Sequence, residues 1–211
     1  MIQAVMHQLD LLAGISAPLP RALLNTILIP VLIFLLGLAI TGVNHLITRI
    51  IALLLGGRAA GQIRNYFTYP GTVHHELAHA LFAALTGARV LRITLRPQGD
   101  TLGSVEFIPR GNTLTKSIQM TLASIAPVVC GIGTLALLWM FVFPLCALWW
   151  HYVLFGYGFL CVLLHMNMSS QDIKNALRGT PVCMLLLFLV FLFLKVNLLQ
   201  ELLLLFRGLS A

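Results

Sequence analysis

Three imidazoles and a carboxylate crowd into one short stretch of an otherwise apolar chain. They are His74, His75, Glu76 and His79, within TYPGTVHHELAHALFAALTGA, Thr68 to Ala88. His75-Glu76-Leu77-Ala78-His79 is an H-E-x-x-H pattern. On an α-helix, residues four apart lie on one face, so His75 and His79 can grip a single metal ion. Glu76, one residue after the first ligand, is placed to polarise a water at that metal. Zinc lowers the pKa of such a water from far above neutrality to about 7. The chemistry in prospect is hydrolysis at a carbonyl, with Glu76 taking the proton. His74 lies about 100° around the helix from His75, which turns it away from that ion and makes it a polar neighbour of the site.

A catalytic zinc takes three protein ligands and keeps a fourth position for water. The remaining candidates are Asp10, Asp100, Glu106, His151, His165, Asp172 and Glu201. Asp172 is favoured because it lies in a polar break, NMSSQDIKNALRGT, between two apolar segments. It also fits a helix start, since SSQD offers Ser169 or Ser170 as the cap with Asp172 in the first turn. An ionisable side chain at membrane depth costs about 2.5–3.5 kcal/mol. With only six acidic residues in the chain, a glutamate between two histidines calls for a function. The competing reading is a polar cluster that hydrogen-bonds helices together.

The elements that must position these residues are membrane helices. The chain has 211 residues, of which 59% are hydrophobic and 9% charged, with a mean hydropathy of +0.97. Soluble domains carry about 25% charged residues. Several apolar runs reach the ~20 residues that cross a bilayer. The fold class expected is an all-α polytopic membrane protein of about five transmembrane helices, with a small β-hairpin after the H-E-x-x-H helix.

A lead-in over residues 1–20 is interrupted by Pro18 and Pro20. The first span runs over Ala22–Ile40 with Pro30 inside it, and Asn44–Arg64 reads as an interfacial or extended helix. The second span, Tyr66–Leu85, carries the motif and stops at Gly87. Residues 88–112 alternate and turn at PQGD, as a β-hairpin does. Spans three and four run over Ser117–Phe143 and Leu145–His165. After the break at Asn167–Thr180, a fifth covers Val182–Phe206 with Lys195 in its middle. One membrane-embedded domain is expected: 1–65 as lead-in, first span and interfacial segment, 66–180 as catalytic core, and 181–211 as the C-terminal span.

The net charge of +7 comes from 13 Lys and Arg against six acids. Most of the basic residues flank apolar segments instead of forming one run with interleaved aromatics. That pattern anchors a membrane protein and argues against a nucleic-acid partner. The basic hairpin and the DIKNALRG segment belong on one side, the cytoplasm. Asn44–Arg64, with three arginines, strains that topology. Cys130, Cys146, Cys161 and Cys183 form no CxxC and read as small buried apolar residues. No cleavable signal peptide is evident, so the first span would act as the insertion signal.

Over roughly Tyr66–Gly179 the chain resembles the site-2 protease family of intramembrane zinc metalloproteases. The points of likeness are His75-Glu76-x-x-His79 opening a membrane helix, the glycine-containing hairpin, and SIAPVVCG in the next span. The last resembles the family's Gly-Pro-x-x-Asn element through Ala126-Pro127. MNMSSQDIKNALRG stands where the family has an Asn, a proline-containing stretch and Leu-Asp-Gly. Alanine replaces the family glycine before Pro127, the family Asn reads Cys130 or nearby, and Leu-Asp-Gly reads Gln171-Asp172-Ile173, so the likeness is to a small, divergent member.

The resemblance implies peptide-bond hydrolysis within or beside a bacterial cell membrane, with the active site towards the cytoplasm. Zn2+ would be held by His75, His79 and Asp172, with Glu76 as catalytic base and acid. The partners would be a membrane protein or peptide substrate and the lipid bilayer. The hairpin would accept substrate by strand addition, with Val105, Phe107 and Pro127 as substrate-contacting candidates; a hairpin packed tightly on the helices is the alternative. Two other functions compete. A CAAX-type prenyl protease would use Glu106 or Glu201 as third ligand. A non-catalytic scaffold or transport protein would close the site with a fourth ligand.

Overall fold

The structure, a computed structural model, describes residues 2–96, 103–194 and 196–209. The PQGD turn with Asp100, and Lys195, lie outside the described residues. The elements run α1 (Ile2–Ala13), α2 (Pro18–Leu55), α3 (Gly57–Gln62), a π-helical turn (Ile63–Phe67), α4 (Tyr69–Leu85), β1 (Arg89–Thr94), β2 (Ser104–Ile108), α5 (Thr113–Leu137), α6 (Trp149–Leu164), α7 (Ser170–Phe193) and α8 (Leu198–Leu209).

Three helices among the described residues are long and apolar enough to cross a membrane: α2, α5 with its continuation to Leu145, and α7. The motif helix α4 and helix α6 have 17 and 16 residues, short of the ~20 that a full crossing needs. α2 is one helix of 38 residues that passes through Pro30, so Asn44–Leu55 extends the first span. α7 starts at Ser170, inside the stretch read as a polar break, and runs through Pro181. The fifth span read at Val182–Phe206 is therefore divided between the end of α7 and α8.

The chain forms two compact units, one up to Phe34 together with the part from Pro181, the other Leu35–Thr180. In the first, fully buried Asn25 donates to the Val196 carbonyl at 2.8 Å and accepts from the Leu198 amide at 3.1 Å, which fixes the start of α8. The second unit holds the motif.

Size sorts the second unit's side chains. Ala78, Ala80, Ala83, Ala123 and Ala126 are buried, whereas Leu53, Trp149 and Leu85 are among the most exposed. An apolar exterior around a small-residue interior is how helices associate in lipid, where close backbone approach replaces the hydrophobic drive. Two contacts show it. A Cβ on Gly71 of α4 would overlap the Cys161 carbonyl and His165 Nδ1 of α6 and the turn after it. A Cβ on Gly179 of α7 would overlap the Ser117 carbonyl and Thr121 Oγ1 of α5. α4 thus seats on α6, and the start of α7 seats on α5.

α4 ends in a Schellman motif. Gly87 takes φ 90°, its amide bonds the Ala84 carbonyl at 3.0 Å, and the Ala88 amide bonds the Ala83 carbonyl at 2.9 Å. β1 and β2 pair antiparallel, with Arg92 opposite Glu106, Ile93 opposite Val105 and a bulge between Val90 and Arg92. The hairpin packs Val90 and Phe107 onto buried Ala83, Ala88 and Ala123. Gln119 joins its exit to the end of α4: Oε1 accepts from the Arg110 amide at 2.7 Å, and Nε2 donates to the Thr86 carbonyl at 3.0 Å.

Candidate metal centre

α4 places His75, Glu76 and His79 one turn into its interior-facing side, after Pro70 at its start and before the exposed Leu85. The two imidazoles meet, Nε2 to Nε2, at 3.0 Å. Their other ring nitrogens reach backbone carbonyls: His75 Nδ1 lies 2.6 Å from the His165 oxygen, and His79 Nδ1 lies 2.7 Å from the Ala123 oxygen. A carbonyl only accepts, so each Nδ1 carries the proton. Neutral imidazoles of this tautomer present lone pairs at Nε2. Those lone pairs face each other unless a proton or a metal cation lies between them.

Asp172 adds a third electron-pair donor, with Oδ1 3.6 Å from His79 Nε2. Ser169 caps α7: its carbonyl accepts from the Ile173 amide, and its hydroxyl accepts from the Asp172 amide at 3.1 Å. In return Asp172 Oδ2 accepts from the Ser169 amide at 2.9 Å and hydroxyl at 2.5 Å. This is a capping box. One carboxylate oxygen completes the helix start, and the other is left facing the histidines.

Ligand atoms of His75, His79 and Asp172 all lie within 4.8 Å of one another. Neighbouring ligands of a tetrahedral zinc with ~2.0–2.1 Å bonds stand about 3.3 Å apart. The 3.0 and 3.6 Å separations here bracket that value. Both histidines also donate Nδ1–H to a carbonyl, as metal-bound histidines usually do with the ring nitrogen that does not hold the metal. The residues present therefore fit a zinc ion.

The other candidates are placed differently. His74 Nε2 meets Thr134 Oγ1 at 2.9 Å, on the side of α4 that faces α5. His151 Nδ1 accepts from the Ala147 and Leu148 amides at 3.1 and 3.3 Å and so caps α6. Glu106 stands opposite Arg92 in the hairpin. Asp10, His165 and Glu201 do not join the metal-binding group among the described residues. Of the residues expected to meet substrate, Val105 is half-buried, Phe107 packs on the helices, and Pro127 is fully buried inside α5.

Three participants escaped the sequence reading. The His165 and Ala123 carbonyls orient His75 and His79, while Ser169, already offered as a cap, also holds the Asp172 carboxylate. Gly103, just before β2, lies on Glu76: a Cβ there would stand 2.7 Å from Glu76 Cγ and 3.0 Å from Oε1. All three depend on contacts between elements distant in sequence.

Apolar spanning helices, a buried Glu76 and a convergent His-His-Asp set define an integral membrane protein built around a candidate metal centre. Residues 45–211 match the model of the family described as Peptidase M50B-like. The chain belongs to that family, and with it to the site-2 protease group of membrane metallopeptidases. No match was found among curated proteins or among solved structures.

Proposed function

We propose that this protein is an intramembrane zinc metalloprotease that hydrolyses peptide bonds of membrane-associated substrates. His75, His79 and Asp172 would hold the ion, and Glu76 would serve as catalytic base and then acid. The observation that carries this reading is the convergence of three electron-pair donors, each fixed from behind by a backbone or serine hydrogen bond. Three ligands, with no fourth side chain in the group among the described residues, match catalytic zinc sites better than closed structural ones. That weighs against a scaffold, and the absence of Glu106 and Glu201 from the group among the described residues weighs against the prenyl-protease ligand set.

When bound, zinc supplies Lewis acidity that lowers the pKa of water and polarises a carbonyl oxygen. The chain's own residues do the rest. Glu76 takes a proton from the nucleophilic water on its carboxylate and passes it to the leaving amine nitrogen as the peptide bond breaks. Burial of Glu76 and His79 keeps bulk water from the proton's path. The hairpin offers strand edges to an unfolded segment of substrate. Its inner face is already occupied by Val90 and Phe107 on the helices, so backbone edges, more than those side chains, would carry the docking. The shorter α4 and α6 would bring the crossings to five, with the basic hairpin and the site towards the cytoplasm.

The deciding measurement is metal content and cleavage together. Protein purified in detergent should carry one zinc per chain. Chelation should remove both the zinc and the cleavage of a tagged single-span reporter in proteoliposomes, and added zinc should restore both. A wild-type chain that takes up no zinc, or that cleaves equally well after chelation, overturns the proposal.

Gly103→Ala probes the approach of the hairpin to the base. The added methyl must displace the Glu76 side chain. Small misplacements of reacting groups cost up to about a hundredfold in rate. Cleavage is expected to fall by about tenfold to a hundredfold with zinc content unchanged. Unaltered turnover would mean that the contact has no bearing on catalysis.

A further inference from the structure

We propose that Pro127 is a positioning residue for the metal ligand His79, acting through the backbone carbonyl of Ala123. The inference rests on the metallopeptidase reading above and assigns a residue that reading leaves without a role.

α5 is helical from Thr113 to Leu137, with Pro127 in its interior. In an α-helix the amide of residue 127 would donate to the carbonyl of residue 123. Proline has no N–H to give, and its ring pushes against the carbonyl four residues back. The Ala123 oxygen is thus relieved of its helical donor and turned outward. That oxygen lies 2.7 Å from His79 Nδ1. Ala123 is fully buried and His79 is 8% exposed, so neither group has bulk water as an alternative partner.

This contact sets the tautomer. An Nδ1–H donated to Ala123 leaves the lone pair on Nε2, the atom that faces His75 Nε2 at 3.0 Å and Asp172 Oδ1 at 3.6 Å. His75 is served in a parallel way: its Nδ1 donates to the carbonyl of His165, the residue that ends α6. His79 therefore uses a carbonyl that a proline in mid-helix leaves without its helical N–H. An ordinary residue at 127 would return its N–H to the Ala123 oxygen and draw that carbonyl back along the helix axis. His79 would then lose orientation, and its Nε2–H tautomer, which has no lone pair on the nitrogen that faces His75 and Asp172, would gain population.

The test compares wild type with Pro127→Ala and Pro127→Val. Both variants restore the N–H, and valine also restores most of the volume. Zinc affinity is read by chelator competition, fold by unfolding temperature of the metal-free protein, and tautomer by 15N NMR of histidine-labelled metal-free protein. Expected are an Nδ1–H tautomer at His79 in wild type and a tenfold to hundredfold loss of zinc affinity, of the order of ligand-supporting contacts, in both variants (about 10–100-fold). Unfolding temperature should hold or rise, because a proline has left a helix interior. Wild-type zinc affinity in both variants overturns the proposal, as does valine restoring what alanine loses, which would make Pro127 a packing residue. If neither variant folds, the wild-type spectrum decides: an Nε2–H tautomer at His79 refutes the proposal, and Nδ1–H supports it. A wild type without zinc overturns the metallopeptidase reading and this proposal with it, whereas zinc on all three proteins sinks only the role of Pro127.

Discussion

Glu76→Gln is expected to bind zinc as tightly as the wild type and to cleave a single-span reporter about a hundredfold to ten-thousandfold more slowly, the range that general acid–base groups contribute. The two side chains have nearly the same shape, so the close contact with Gly103 survives the exchange. Glu76 stands outside the His75–His79–Asp172 group, which is why metal binding is expected to be spared. What the amide cannot do is take a proton from water and return it to the leaving nitrogen. Zinc content measured beside initial cleavage rates separates the two functions. Cleavage at the wild-type rate would move the base to another residue.

Asp172→Asn should do the reverse, removing the metal while sparing the helix start. The amide oxygen can still accept from the Ser169 amide and hydroxyl, as Oδ2 does. The NH2 group then takes the place of Oδ1 opposite His79 Nε2, and it donates instead of accepting. Zinc affinity is expected to fall beyond the ~10–100-fold typical of supporting contacts. Asp172→Ala should lose zinc equally and in addition destabilise the start of α7 by about 1 kcal/mol, the usual scale of a lost cap. Equilibrium dialysis with zinc and thermal unfolding of the metal-free variants give the two readings. Full zinc retention by Asp172→Asn, with loss in Glu201→Gln, would shift the third ligand to the prenyl-protease pattern.

What could be read from the residues alone was whatever one element decides by itself. The two histidines share a face because a helix fixes the geometry of residues four apart. Gly87 ends α4 because a positive φ excludes most other residues. The hairpin shows itself by alternation between glycine and proline boundaries. The boundary misread at the start of α7 came from treating polar residues as a break. α2 runs on through Pro30 and Arg49, as the extended-helix reading of Asn44–Arg64 allowed, since a long basic side chain can reach the interface and neighbouring groups can satisfy the backbone that a proline frees. Polar Ser169 and Asp172 did not prolong a loop; they cap the helix that begins there. The orienting carbonyls of Ala123 and His165 were beyond reach, because a backbone oxygen has no identity in a sequence until another element is packed against it.

The distribution of side-chain size also bears on how such a chain can diverge. Its lipid-facing leucines, valines and phenylalanines are interchangeable, because a hydrocarbon solvent receives each of them about equally well. A single methyl at Gly71 or Gly179 would separate two helices that carry the candidate metal ligands or their supports. The identity-bearing positions are then few, small and scattered, while the abundant large residues are free to drift. Descendants of one ancestor could come to share little beyond glycines, alanines and a handful of polar residues, and still assemble the same centre.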